Sequence, residues 1–133
     1  MRTSKRLAVN VERDSVGAGD DIFAPHAKRF AFQARDTLAD VLSAILVAGY
    51  LAKIAGGKAT WIVEAAGKPV AVVAQQWGAP KFLIDQTSLV TDCVTPEAPR
   101  ALFFRYWCQL DPAVVFQCLR LGQPLPDRYG RDE

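Results

Sequence analysis

The chain has 133 residues, half of them apolar and 23% charged, with sixteen Lys and Arg against fourteen Asp and Glu. A chain of this size buries enough surface for one ordinary core, so neither disulfides nor a structural metal is required to hold it. The net charge of +2 lacks the strong basic excess of a nucleic-acid binder, and a nucleic-acid partner is a poor first choice.

Residues 1–5 read as a flexible, basic tail. Leu7, Val9 and Val11 then alternate with Ala8, Asn10 and Glu12, which predicts a strand over 6–13. The apolar run Leu7-Ala8-Val9 stops at Asn10, too soon for a secretory signal, so the expected location is the cytoplasm. Periodicity vanishes from Asp14 to Lys28 among Gly17, Gly19, Asp20, Asp21 and Pro25, and it resumes through Phe30 and Phe32 over 29–33. The expectation is a hairpin with a long acidic loop, and loops of that length tend to be functional.

Thr37 with Asp40 forms a capping box that opens a helix carrying Leu38, Val41, Leu42, Ile45 and Leu46 on one face. Gly49 reads as a weak point in that helix, which is expected to end near Tyr50 or Leu51. Asp40, Ser43 and Gly49 interrupt this most apolar stretch, and it is too short to span a membrane. A second hairpin is expected from Thr60–Ala65 and Val70–Trp77, joined through 66–69. Phe82-Leu83-Ile84 is a short apolar run, and 91–99 reads as loop. Ala101–Leu110 alternates as a strand. Asp111 as N-cap, Pro112 at the first helical position and Gly122 at the end bracket a last helix with Val115, Cys118 and Leu119 facing inward. Residues 123–133 read as a second tail. The whole predicts a single α+β domain over 1–133, a mixed sheet wrapping one main helix as in a β-grasp, ubiquitin-like roll, with a C-terminal helix.

Cys93, Cys108 and Cys118 fit no zinc, C-x-x-C or iron–sulfur spacing and read as buried, inert thiols. Gly57-Lys58 resembles a phosphate-loop ending but follows a helix and lacks the Ser or Thr after the lysine. Glu12, Asp14, Asp20 and Asp21 with His26 cluster in sequence, yet without calcium-loop spacing. No metal, cofactor or small-molecule substrate is inferred from them. His26 is the only histidine, and nothing marks a catalytic partner for it. Trp61, Trp77 and Trp107 are expected to pack on sheet faces, with one available as an interface anchor. Gln75-Gln76 beside Trp77 marks an exposed strand end.

The string V-N-V-E-R-D-S-V-G-A-G-D-D-I-F-A-P-H at 9–26, continued by G-G-K-A-T-W at 56–61 and A-V-V-A-Q-Q-W at 71–77, resembles the N-terminal signature of small bacterial proteins. Those proteins are similar in size and character to the immunity proteins of contact-dependent growth inhibition and related polymorphic toxin systems. The resemblance spans about the first 85 residues, and together with the compact single domain, the missing catalytic set and the long acidic loop it leads to the expectation of a non-enzymatic module that occludes the active site of a cognate toxin domain. Asp14, Asp20, Asp21 and His26 are the expected contacts, joined by Lys58, Gln76 and Trp77. Two alternatives stand beside it: a metal-dependent or acid–base enzyme using the 12–26 loop, and a homodimer pairing sheet edges.

Overall fold

A computed structural model describes residues 6–14, 27–51 and 58–127. The chain is an α+β protein built on one six-stranded mixed sheet. In chain order the elements are β1 (Arg6–Arg13), β2 (Lys28–Gln33), α1 (Leu38–Val47), β3 (Thr60–Ala65), β4 (Lys68–Ala74), β5 (Lys81–Phe82), α2 (Val90–Cys93), β6 (Leu102–Tyr106) and α3 (Pro112–Leu121). The strands lie in the order β2-β1-β6-β3-β4-β5. β1 pairs antiparallel with β2 and parallel with β6, and every other pairing is antiparallel.

Strand alternation sorts the sheet into two faces. Val9, Val11, Phe32, Trp61, Val63, Val73, Leu102 and Phe104 point to one side and bury Leu38, Val41, Leu42 and Ile45 of α1. Ile62 and Val72 point to the other and meet Val115 of α3. Helix α1 therefore lies across one face, while α3 covers only the β3–β4 part of the opposite one.

Both long helices begin and end as their sequences direct. At the start of α1 the Thr37 Oγ1 accepts the Asp40 N–H at 3.1 Å, and the Asp40 carboxylate accepts the Thr37 N–H at 2.9 Å. The Leu38 and Ala39 N–H groups donate to the carbonyls of Ser88 and Gln86, so the free donors of the first turn are satisfied by the returning chain. Gly49, at φ 73°, ends the helix: Tyr50 N–H donates to Ile45 O and Gly49 N–H to Leu46 O, the paired bonds of a left-handed terminal turn. The glycine is thus the stop itself, and the helix is shorter than its apolar pattern predicted. Gly122 (φ 69°) closes α3 in the same way, with Gln123 N–H on Cys118 O.

Further boundaries depart from the sequence reading. β4 begins at Lys68 because the turn needs only Ala66 and Gly67, both at positive φ, and it stops at Ala74, where Trp77 N–H turns back to Ala74 O. β5 is shorter than its apolar run. The loop expected over 91–99 starts inside α2, four residues with no side-chain cap. β6 ends at Tyr106 although alternation continues to Leu110. There Cys108 takes a positive φ of 58°, and buried Thr60 gathers the turn, donating its N–H to Cys108 O and its Oγ1 to Leu110 O at 2.7 Å. Of the stretch read as a C-terminal tail, Leu125 packs against the cluster of Ile62, Val72 and Val115, and the Trp107 indole N–H donates to Pro126 O at 3.0 Å. The three cysteines are free and half-buried rather than fully buried.

Candidate functional site

Strand directions bring most of the candidate residues to one end of the sheet. β1 and β6 run parallel and finish there with Arg13 and Tyr106; β3 starts there at Thr60, and β4 finishes there at Ala74, opposite Thr60. Continuing that β3–β4 register sets Ala59 against Gln75, which exchange backbone and side-chain hydrogen bonds at 2.8 and 3.3 Å. Lys58, Gln76 and Trp77 flank this crossing. Asp14 follows β1 at the same end. Asp20, Asp21 and His26 lie outside the described residues.

The individual environments differ. Asp14 is half-buried and extends the β1–β6 ladder: its N–H donates to Phe104 O at 2.9 Å, and its Oδ2 accepts the Tyr106 N–H at 3.0 Å. That carboxylate acts as a surrogate backbone acceptor at the strand end, holding the two central strands in register. Lys58 and Gln76 are exposed, and Trp77 is half-buried. Trp61, the second tryptophan at this end, is buried with its ring 4.8 Å from that of Tyr106.

Behind them Arg13 is buried at the end of α1. Its Nε donates to Tyr50 O at 3.2 Å and its guanidinium carbon lies 5.8 Å from the Tyr50 ring centroid. A cation at a helix C-terminus meets the negative end of the backbone dipole. Burial pushes the Tyr50 phenol up to about 12, with Arg13 working against the rise. Burial also raises Tyr106. Cys93, far from this end, is held protonated by burial and then by Asp92, which weakens it as a nucleophile near neutral pH.

A groove of about 230 Å³ opens at this end, between the close of α1 and the turn after β4. Leu46, Leu51, Trp61, Val73, Trp77 and Pro80 line it. Next to the groove wall, Lys81 Nζ lies 4.8 Å from the Trp77 ring centroid and 5.9 Å from that of Phe116. Such a cleft accepts an apolar side chain, with the Gln76 amide and the Lys58 and Lys81 ammonium groups available to polar neighbours of that side chain. Sequence reasoning missed Leu51, Pro80 and Lys81 as site residues and took Leu46 for core. The one available signal was a lysine four residues after an aromatic, following a proline.

Among the described residues no group of three His, Cys, Asp or Glu side chains is placed to hold a metal ion, and no helix is long and apolar enough to cross a membrane. No protein-family profile, curated protein or solved structure matches the chain.

Proposed function

We propose that this chain is a non-enzymatic protein-binding module, an immunity protein of the cytoplasm that neutralises a cognate bacterial toxin by covering its active site. The observation that carries the reading is the apolar groove lined in part by half-buried Trp77, at the end of the sheet where Gln76 and Lys58 are exposed. A tryptophan partly desolvated in the free protein loses little rotamer freedom on binding, and such residues dominate interface energetics. The arrangement suits a toxin that offers an apolar side chain flanked by acceptors, with Asp20, Asp21 and His26 as further contacts. A partner of this kind needs only weak net charge, in keeping with the chain's own balance of +2.

The fold we read as a β-grasp roll. In its favour are the parallel pairing of β1 with β6, the antiparallel pairs β1–β2 and β3–β4 placed on either side of β6, and helix α1 laid across one face. Folds of this kind host many functions, so the functional reading rests on the groove.

Co-expression with the product of the adjacent gene tests the proposal. The expected result is a stable complex and survival of cells that the neighbour's product alone kills; no complex and no rescue would refute it.

A further inference from the structure

The two edges of the sheet differ. β5 closes one with only Lys81 and Phe82, whereas among the described residues no strand covers β2 at the other, where only the Gln33 N–H at the strand end is already held, by Asp36. An edge strand turns alternate N–H and C=O groups outward, a template for one more strand. No proline interrupts Lys28–Gln33, and its register with β1 runs unbroken from Arg6↔Gln33 to Val11↔Lys28.

This edge is also charged with one sign. Lys28 and Arg29 are exposed and, as neighbours on a strand, project to opposite faces. The Lys28 Nζ sits 5.2 Å from the Phe30 ring centroid, fixed beside the edge. Arg35 is exposed just past the strand. Among the described residues no ion pair engages any of the three, while Arg100 and Arg105 are paired with Glu12 and Glu64. The one carboxylate of the stretch, Asp36, accepts the Gln33 N–H at 2.9 Å where the strand ends.

Such an edge discriminates between occupants. A second copy of this chain would bring a like-charged edge against it, so the cations oppose self-pairing while they attract acidic chain. We infer that β2 receives an acidic, extended segment of a partner protein as a seventh strand, its main-chain hydrogen bonds supplying affinity and Lys28, Arg29 and Arg35 selecting its charge. β2 and the groove-lining β4 lie toward opposite edges of the sheet, so this inference stands whether or not the groove binds a toxin.

The test uses the full chain, isotope-labelled, with a short blocked peptide of alternating glutamate and valine and its lysine counterpart as control. The glutamate peptide should slow amide exchange at Arg29 and Ala31, the alternate residues before Gln33, by at least about tenfold, and raised salt should weaken its binding. Lys28→Glu with Arg29→Glu should weaken binding at least about tenfold while leaving thermal unfolding in place. If charge reversal disturbs folding, Lys28→Gln with Arg29→Gln takes its place, with a smaller loss expected. Absence of protection in β2, equal response to the lysine peptide, displacement of the peptide by an oligonucleotide, or self-association of the unmodified chain through β2 would each overturn the inference.

Discussion

The two faces of the sheet are held by unequal means. Beneath α1, twenty buried described residues form one continuous core reaching across five strands from Phe32 to Val73. Beneath α3 only Ile62, Val72 and Val115 are buried in the cluster, with Trp77, Trp107, Phe116, Leu119 and Leu125 packed around them half-exposed. Where α3 does not reach, that face carries Phe103 under two guanidinium groups, 4.0 Å from Arg100 and 5.5 Å from Arg105. The lesson is a division of labour: the α1 face sets the fold, and the site forms where its cover runs out. Leu46, Leu51 and Trp61 of that core are also groove walls, and Val47 next to them is 85% exposed.

Truncating one side chain on each face probes this difference most strongly. Leu42→Ala, at a fully buried position under α1, should cost about 2–5 kcal/mol through lost transfer energy and a residual cavity. Val115→Ala under α3 should cost about 2 kcal/mol, for the smaller group removed and for a site able to collapse. Urea unfolding measures both, and equal costs would break the comparison.

Caps and strand ends come next. Thr37→Ala removes the side-chain half of the capping box and should cost about 1 kcal/mol. Asp14→Ala leaves the Tyr106 N–H without its carboxylate acceptor and should cost about 1–2 kcal/mol. A loss at Asp14 confined to toxin binding, with stability unchanged, would mean that its role is contact rather than register.

The smallest expected effect is a slope against pH. Burial keeps the Tyr50 phenol neutral, moving it from 10.0 to about 12, so the folded chain holds this proton after the unfolded chain has released it. The stability it contributes is intact below pH 10 and is lost as pH rises toward 12. Tyr50→Phe should flatten the fall in stability over that interval, read as the difference between the two unfolding curves at each pH.

Much of the architecture was legible because its signals are local. Thr37 with Asp40, Asp111 with Pro112, and Gly122 each act within one helical turn, and each lies where its chemistry requires. The extent of the strands was less legible. Alternation persisted through Gln75–Trp77 and Trp107–Leu110, but the chain turns at the first place on the local Trp77 N–H to Ala74 O bond and at the second under hydrogen bonds from distant Thr60. α2 gave no signal, since it has neither length nor a capping side chain. The site was legible as pieces only. Lys58, Gln76 and Trp77 each stood out by residue type, but their convergence depends on Thr60 pairing with Ala74, a register that no local pattern reveals. The groove walls are ordinary core residues by composition, which is why Leu46 gave no warning.

The central claim is that the groove end of the sheet binds and silences a toxin. Its most direct test is rescue of cells expressing the adjacent gene's product, comparing the unmodified chain with Gln76→Arg and Trp77→Ala, each checked for folding by thermal unfolding. The account predicts that the unmodified chain forms a complex and rescues, while Trp77→Ala weakens the complex by about 2 kcal/mol or more, roughly thirtyfold, and rescues poorly. Gln76→Arg, at an exposed position, should lose binding with stability changed by no more than about 0.5 kcal/mol. Full rescue by both folded variants, or no complex with the unmodified chain, would contradict it.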